Sequence, residues 1–260
     1  MTPKRIMAIV NQKGGVGKTT TAINLAAALS ELDQRVLLID MDPQGNASTG
    51  LGVPRDARSK STYHVLTENM PVDEAIQPTR VRGLYIMPSH ADLSAVELEI
   101  GMTQGRTQKL VEAFAKATVS FDYVLIDCPP SLNLLTLNAL AAARSIIVPL
   151  QCEFFALEGL SQLLRTVEMA KEGINPKLAI DGVVLTMFDK RNRLSLQVAD
   201  DVRRHLGRAV FETLIPRNVR IAEAPSFSEP VTTYEPSSQG AKAYRRLARE
   251  ILRKHAARVK

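Results

Sequence analysis

The chain has 260 residues, a formal net charge of +6 and 45% hydrophobic residues with only 5% aromatic ones, so it can build one large domain around an aliphatic core. Its two cysteines, Cys128 and Cys152, are too few and too isolated for a disulfide framework or a zinc site. No apolar run is long enough to span a membrane and the N-terminus lacks a signal-peptide pattern, so we expect a soluble, cytoplasmic protein.

Strand-like apolar runs alternate with helix-periodic segments along most of the chain. The predicted strands are 5–11, 36–41, 84–88, 123–127, 145–150, 179–187 and 210–215. The predicted helices are 18–32, 91–100, 107–118, 132–142, 157–172, 194–206 and 240–258. This alternation predicts an α/β fold, a doubly wound and mostly parallel sheet with helices on both faces. We expect a single domain over residues 1–260, from which residues 50–79 form an irregular, polar excursion.

A glycine-rich loop lies between the first predicted strand and the first predicted helix, where residues 11–20 read NQKGGVGKTT. Strand, loop and helix in this order let backbone N–H groups and a helix N-terminus bind phosphate. Lys18 is expected to reach the β- and γ-phosphates of a nucleotide, and the Thr19 hydroxyl to ligate Mg²⁺. ATP and Mg²⁺ are therefore the expected cofactors. The residues predicted to bind the phosphates are Lys13, Gly14, Gly15, Val16, Gly17, Lys18, Thr19 and Thr20.

Carboxylates stand at the ends of two further predicted strands. Asp40 and Asp42 end the second strand within the run IDMDPQ, and Asp127 ends another within YVLIDCPP. Because parallel sheets bind ligands at the carboxyl ends of their strands, these carboxylates are expected beside the phosphate loop. An apolar strand that delivers an Asp to the metal is the Walker B pattern, which makes Asp127 a candidate for Mg²⁺. Taken alone, Asp-x-Asp-Pro after a strand is also compatible with an ordinary turn.

The loop at 11–20 resembles the deviant Walker A loop of the ParA/MinD group of dimeric ATPases, because Lys13 stands where a generic phosphate loop requires no lysine. The runs DPQGN at 42–46 and PRNVR at 216–220 are similar to those of the ParA/Soj chromosome-partitioning branch. The resemblance covers nearly the whole chain. It implies a P-loop ATPase that closes into a nucleotide-sandwich dimer, in which Lys13 reaches the partner subunit's nucleotide.

The resemblance also implies a role for each site residue. Asp42 would orient or activate the attacking water. The implied catalytic residues are Lys13, Lys18 and Asp42. The implied metal-binding residues are Thr19, Asp127 and, in a supporting position, Asp40. The adenine base would lie between Met187, together with Thr186, and the backbone of Pro216, Arg217 and Asn218.

Positive charge is concentrated at the C-terminal end, where residues 242–260 carry eight Lys or Arg residues against one Glu. Such asymmetry indicates an anionic partner, either nucleic acid or a membrane surface. The resemblance implies that the ATP-bound homodimer binds double-stranded DNA nonspecifically through Arg191 and Arg220, and that a ParB-type centromere-binding protein and DNA stimulate hydrolysis. It thus implies a nucleoid-associated protein. Weaker candidates for DNA contacts are Arg193, Arg217, Arg245, Arg246 and Arg249.

Two other functions share this loop. A MinD-like ATPase would use an amphipathic C-terminal segment to bind a membrane, and a metabolic enzyme such as dethiobiotin synthetase would need a small-substrate pocket, for which we identify no residues. One apolar helical stripe could form the amphipathic segment, although we expect it to pack on the sheet and expect no membrane partner. The stripe consists of Tyr244, Leu247, Ala248, Ile251 and Leu252.

Overall fold

The computed structural model describes residues 5–257, which fold around one seven-stranded sheet. The strands are β1 (Arg5–Ile9), β2 (Val36–Asp40), β3 (Gln77–Pro78), β4 (Leu84–Met87), β5 (Tyr123–Asp127), β6 (Ser145–Gln151) and β7 (Ala179–Thr186). Their order across the sheet is β3-β4-β2-β5-β1-β6-β7, and only the β3–β4 pair is antiparallel. The predicted doubly wound, mostly parallel α/β fold is confirmed.

Helices cover both faces of this sheet. They are α1 (Lys18–Ser30), α2 (Asn46–Gly50), α3 (Thr62–Thr67), α4 (Val72–Ala75), α5 (Val96–Ile100), α6 (Lys109–Lys116), α7 (Leu134–Ala142), α8 (Ala156–Gly173), α9 (Arg193–Leu206), α10 (Val219–Glu223), α11 (Val231–Tyr234) and α12 (Gln239–Ala257). Within residues 5–257, no helix is long and apolar enough to cross a bilayer.

Each strand of the central sheet feeds two cores, because successive side chains of a strand point to opposite faces. Met7 and Ile9 of β1 lie in the core that α1 and α12 cover. Ala8 and Val10 lie in the other core, which α7 and α8 cover. Leu, Ile, Val and Ala dominate both cores, as the composition predicts. Burial on both faces explains why the strands read as continuous apolar runs.

The predicted strand at 210–215 is wrong. The segment meets β7 at its two ends, where the Phe211 and Ile215 N–H groups donate to the Val183 and Leu185 carbonyls at 2.9 Å each, and only isolated bridges form there, Val183 with Val210 and, just beyond both segments, Phe188 with Pro216. Between them the chain leaves the ladder, because the Glu250 carboxylate of α12 accepts hydrogen bonds from two backbone N–H groups of the segment, at 2.7 and 3.1 Å. A side chain distant in sequence therefore replaces the neighbouring strand as the acceptor.

The prediction of an irregular excursion at 50–79 is partly wrong. This part of the chain forms α3, α4 and the edge strand β3, and it sends Val65, Leu66 and Val72 into the core. The predicted helix at 91–100 consists of one 3₁₀ segment, Ala91–Ala95, followed by α5. The other predicted helices agree with the structure within about two residues, and the predicted last residue, Arg258, lies outside the described part of the chain.

The apolar stripe of α12 packs on α1 and the sheet, as predicted. Tyr244, Leu247, Ala248 and Ile251 are at most 1% exposed, and the Tyr244 hydroxyl lies 3.4 Å from that of Thr21 on α1. Leu252 is partly buried against the same core. In this conformation the stripe is part of the fold and is not presented to a membrane surface.

We therefore expect Leu247→Ala to lower the free energy of unfolding by about 2–5 kcal/mol, because it opens a cavity at a fully buried position. Urea denaturation followed by circular dichroism measures this change. Lys242→Ala, at an exposed position of the same helix, is the control and should change stability by less than about 0.5 kcal/mol. Unchanged stability of Leu247→Ala, combined with lost binding to anionic vesicles, would contradict the core assignment.

Candidate nucleotide-binding site

The phosphate loop lies at the carboxyl edge of the sheet, between β1 and α1. Gly15 and Gly17 have φ values of +76° and +88°, which non-glycine residues rarely adopt. A Cβ added at Gly14 or Gly15 would meet no atom within 4 Å. Packing inside this chain therefore does not explain why position 14, whose φ is not positive, lacks a side chain, and the open space in front of the loop is available to a ligand or a second chain.

Side-chain hydrogen bonds tie the loop to the ends of two neighbouring strands. The Asn11 amide donates to the Pro149 carbonyl at 2.8 Å, and its oxygen accepts from the Lys13 N–H at 3.0 Å. The Thr186 hydroxyl at the end of β7 donates to the Val16 carbonyl at 2.8 Å. The ends of β6 and β7 thus fix the loop before any ligand arrives. The sequence motif gives no indication of these anchors, because they come from strands far along the chain.

The two lysines of the loop have different surroundings. Lys18 is 7% exposed, and its Nζ donates to the Lys13 carbonyl at 2.9 Å, across the loop. Burial lowers the pKa of Lys18, while the Asp127 carboxylate acts in the opposite direction. The Lys13 side chain is 46% exposed and forms an ion pair with Glu153, which follows β6. Lys18 therefore belongs to the interior of the loop and Lys13 to its outer surface.

Asp40 and Asp127 stand opposite each other in the register of β2 and β5, and both are fully buried. Neither oxygen of Asp127 has a hydrogen-bond partner among the described residues. Burial and the neighbouring Asp40 raise the pKa of Asp127 well above its usual value, although the nearby Thr19 hydroxyl favours the charged form. An orphaned buried carboxylate of this kind needs a cation.

Mg²⁺ fits this arrangement. It prefers hard oxygen ligands and is usually held by one or two carboxylates together with substrate phosphates. Asp127 and the Thr19 hydroxyl supply such oxygens beside the phosphate loop. In residues 5–257 no group of three or more His, Cys, Asp or Glu side chains could hold a metal by itself. The site would therefore need phosphate oxygens to complete the coordination.

Asp40 differs from Asp127 because the protein satisfies its carboxylate. One oxygen accepts from the Ser48 N–H at 2.8 Å and the Ser48 hydroxyl at 2.7 Å, and the other accepts from the Asp42 N–H at 3.2 Å. Burial raises the pKa of Asp40 to about 6, and the hydrogen bonds from Ser48 oppose this shift. Its supporting role at the metal stays a prediction. Ser48 is not predicted by the sequence pattern, because a serine eight residues after an aspartate forms no recognisable motif.

Asp42 lies in a turn directly after β2. It is 9% exposed, and one of its carboxylate oxygens accepts from the Gln44 N–H at 3.0 Å. The turn continues into α2 through Gly45, whose φ is +64°. The simple turn allowed by the sequence is therefore present, and it holds a carboxylate at the same sheet edge as the phosphate loop.

The segments predicted to flank the adenine base lie side by side. Met187 has a φ of +50°, which is uncommon for a residue with a side chain, and it directly follows β7. The Arg217 N–H donates a hydrogen bond to the carbonyl of the neighbouring Phe188 at 3.0 Å. The segments border an open cavity of about 410 Å³, within the size range of ligand pockets. Its lining includes Phe188, Asp189, Pro216, Arg217 and Asn218.

Arg191 and Arg220, the two predicted DNA contacts, are both exposed and both paired with a nearby carboxylate. Arg191 donates two hydrogen bonds to Asp189, each of 3.1 Å, and thereby lowers the pKa of Asp189 to about 2. Arg220 donates to Glu223 at 2.8 Å. These exposed pairs contribute little to stability, so the guanidinium groups can exchange partners at low cost.

Comparison with known proteins identifies the family. The chain matches the family described as AAA domain over residues 4–180. It is 56% identical to the chromosome partitioning protein ParA of Caulobacter vibrioides (strain NA1000 / CB15N) over 252 residues, which cover 96% of this chain and 94% of the relative. The sporulation initiation inhibitor protein Soj of Bacillus subtilis (strain 168) is 47% identical over 247 residues, covering 95% of this chain and 98% of Soj.

Solved structures share the whole fold. A cobyrinic acid a,c-diamide synthase from Mycobacterium smegmatis with bound ADP and magnesium has a TM-score of 0.85 at 39% identity, covering 99% of this chain and 96% of that one. The cell division ATPase MinD of Pyrococcus furiosus has a TM-score of 0.79 at 30% identity, covering 96% of this chain and 99% of that one.

The chain belongs to the ParA/Soj family of chromosome-partitioning ATPases. The resemblance found in the sequence is thereby confirmed, and so is the predicted ATPase activity. The expected cofactors, ATP and Mg²⁺, agree with the nucleotide and magnesium in the related synthase structure.

The orphaned carboxylate gives a testable prediction. We expect Asp127→Asn to raise the free energy of unfolding of the ligand-free protein by about 1 kcal/mol, because it removes an unpaired buried charge beside Asp40. The same change should abolish the extra thermal stabilisation that Mg²⁺ gives in the presence of ADP. Thermal unfolding with ADP, with and without Mg²⁺, measures both effects.

The matched control is Asp122→Asn, just before β5 at the opposite edge of the sheet, where the carboxylate accepts from the Arg35 N–H at 2.9 Å. It should leave the response to Mg²⁺ unchanged. If Asp127→Asn keeps the full Mg²⁺-dependent stabilisation, Asp127 is not the metal-binding carboxylate.

Proposed function

We propose that this chain is a DNA-partitioning ATPase whose ATP-bound sandwich dimer binds duplex DNA nonspecifically and leaves it after partner-stimulated hydrolysis. The observation that carries the proposal is the separation of the two loop lysines. Lys18 folds into the loop, whereas the Lys13 side chain lies on its outer surface and forms an ion pair with a partly buried glutamate, Glu153. A cation at the mouth of the site, held only by one surface ion pair among the described residues, is suited to act on the nucleotide of a second subunit.

Each subunit supplies most of the chemistry of phosphoryl transfer, which asks a protein mainly for positioning and charge neutralisation. Backbone N–H groups of the loop and Lys18 would hold the phosphates. Asp127 and Thr19 would hold Mg²⁺, which neutralises charge on the phosphate oxygens when bound. Asp42 would orient the attacking water. Lys13 from the partner subunit would complete the set, in the way that arginine fingers complete other sites.

The surface around the loop is suited to a second copy of the chain. Gly14 and Gly15 leave open space that bulky side chains would fill. Next to Glu153, the large apolar side chains of Phe154 and Phe155 are 74% and 60% exposed. Burying aromatic residues of this size is a main source of interface stability. We assign these residues to the rim of the dimer interface.

DNA would bind at the surface that carries Arg191 and Arg220. Arg217 lines the same cavity as Arg191, and so does Arg246 of α12, which extends the basic surface towards Arg249 along a second groove. Arg245, a weaker candidate from the sequence, instead forms an ion pair with Glu31 and is a structural residue. Such a surface would bind phosphates without reading base sequence, so affinity should fall steeply with salt.

The alternative functions receive less support. The apolar stripe that a MinD-like membrane role would use is part of the core. The related Mycobacterium smegmatis structure has the name of a synthase, but its 39% identity is below that of the two partitioning relatives, at 56% and 47%. A synthase would show ATP turnover that depends on a small substrate and not on DNA.

The trans role of Lys13 predicts that Lys13→Gln lowers the single-turnover rate of ATP hydrolysis by at least about 100-fold, because removing a transition-state cation has effects of this size. ATP affinity should change far less, since Lys18 remains in the loop. Radiolabelled ATP hydrolysis and equilibrium nucleotide binding measure the two quantities. Lys171→Gln, another exposed lysine paired with a glutamate, is the control. Hydrolysis at the wild-type rate by Lys13→Gln would show that the cation comes from elsewhere.

The DNA proposal predicts ATP-dependent, salt-sensitive binding to random-sequence duplex DNA. The double variant Arg191→Glu, Arg220→Glu should bind at least about tenfold more weakly, and its affinity should depend less on salt, while ATP-driven dimerisation persists. Fluorescence anisotropy with ATP, ADP or no nucleotide across a salt series measures this. Arg204→Glu is the control, because Arg204 is also exposed and paired with a neighbouring carboxylate, that of Asp201. DNA affinity that is unchanged in the double variant contradicts the assignment.

A further inference from the structure

Hydrogen bonds hold both the N–H and the carbonyl of Asp42 within its turn. The Asp42 N–H donates to Asp40, as described above. Its carbonyl accepts from the Gly45 N–H at 2.9 Å and from the Ser89 hydroxyl at 2.5 Å. Ser89 is fully buried, and its own N–H donates to the Ser48 hydroxyl at 3.0 Å. A closed chain of hydrogen bonds therefore runs from Asp40 through Ser48 and Ser89 back to Asp42.

A second support reaches the turn from the excursion at 50–79. Arg58 is 5% exposed, and its guanidinium donates to the Thr49 hydroxyl at 2.8 Å and to the Val53 carbonyl at 2.7 Å. The Thr49 hydroxyl in turn donates to the Gly45 carbonyl at 3.0 Å, and Arg58 Nη1 lies 3.4 Å from the same carbonyl. Arg58 thus holds the end of the Asp42 turn directly and through Thr49.

The φ of Gly45 favours glycine at this position, and a side chain there would also displace the Arg58 guanidinium. A Cβ added at Gly45 would lie 2.3 Å from Arg58 Nη1, in addition to the strain of a φ of +64°. Among the described residues, Arg58 forms no ion pair, so its buried charge is stabilised by hydrogen bonds to carbonyl and hydroxyl oxygens and, at longer range, by the Asp40 carboxylate. Hydrogen bonds from a charged donor are about twice as strong as neutral ones. The cost of burying the Arg58 cation is thus accepted at a position where Arg58 contacts the Asp42 turn.

We propose that Ser89 and Arg58 are positioning residues that hold the Asp42 turn in its reactive conformation, and that the excursion at 50–79 braces this turn. The inference rests on the proposed function, in which Asp42 orients the attacking water. Because the brace consists of contacts within one chain, the turn is ordered before nucleotide binds. Among the described residues, neither side chain forms a hydrogen bond or ion pair with the phosphate loop, so the brace acts on the reaction step rather than on nucleotide affinity.

The test uses the full chain with Mg²⁺-ATP and random-sequence duplex DNA. Ser89→Ala removes one hydrogen bond with a minimal change of volume, and Arg58→Met removes the buried cation. We expect kcat to fall about tenfold in Ser89→Ala and further in Arg58→Met, with KM and the Kd for ADP within about twofold of the wild type. Hydrogen exchange at the Gln44 to Ala47 amides of ligand-free protein should be faster in both variants than in the wild type.

Arg58 and Ser89 line a cavity of about 350 Å³ together with Arg55 and Ser94, and neither of the latter two side chains forms a hydrogen bond to the backbone of the Asp42 turn among the described residues. The controls are therefore Arg55→Met and Ser94→Ala, and both should keep the wild-type kcat and exchange rates. Arg58→Lys keeps the positive charge but loses the planar set of guanidinium donors. Its kcat should therefore lie between that of Arg58→Met and that of the wild type. Urea denaturation of every variant identifies global unfolding, and Ser89→Ala carries the test if Arg58→Met is unfolded.

The outcomes separate the brace from the function on which it rests. If Asp42→Ala loses hydrolysis while Ser89→Ala and Arg58→Met keep the wild-type kcat, the brace is wrong and the role of Asp42 stands. Hydrolysis at the wild-type rate in Asp42→Ala overturns the role of Asp42 and the brace together. A loss of ADP affinity equal to the loss of kcat would also overturn the brace, because it would assign both residues to nucleotide binding.

Discussion

The chemistry at this sheet edge depends on the pairing of β2 with β5, which places Asp40 and Asp127 opposite each other in a fully buried position. Two carboxylates so close together cannot both stay charged without compensation. The protein resolves the conflict asymmetrically. Asp40 receives hydrogen bonds from Ser48 and Asp42, whereas Asp127 receives none from the described residues. The first carboxylate therefore shapes the adjoining turn, and the second remains available for a cation from outside.

The same edge must also attract a polyphosphate anion. The loop can bind this anion through its backbone N–H groups and through Lys18, whose pKa is lowered by burial. A buried carboxylate, a buried lysine and a phosphate are each costly to charge alone in this place, and a bound cation and the opposite charges compensate them when all are together. Binding of nucleotide with Mg²⁺ is therefore favoured over binding of either one. This mutual dependence follows from placing the ends of β1, β2 and β5 side by side, which the sheet order ensures.

The sequence predicts the parts of this arrangement that depend on local pattern. Periodicity and the glycine loop correctly place β1, α1 and the strand that ends in Asp127. Prediction from the sequence fails where a side chain distant along the chain forms a hydrogen bond with a backbone group. Glu250 captures the N–H groups of residues 212 and 213 and prevents a strand there. The Ser89 hydroxyl, 47 positions away along the chain, donates a hydrogen bond to the Asp42 carbonyl. Single-sequence patterns contain no information about such pairings, because any serine or glutamate could make them.

This division between local and distant contacts has a consequence for the proposed cycle. The chain itself orders the Asp42 turn, to which we assign the positioning of water, through contacts that involve no ligand. In the proposed cycle, one subunit does not supply a second cation to its own phosphates, because its Lys13 pairs with Glu153 at the surface. That ion pair is exposed and therefore weak, so an approaching second subunit can replace it at little cost. On this proposal, the arrival of the second subunit rather than ordering of the turn limits hydrolysis, and a lone subunit holding ATP is stable until it meets its partner.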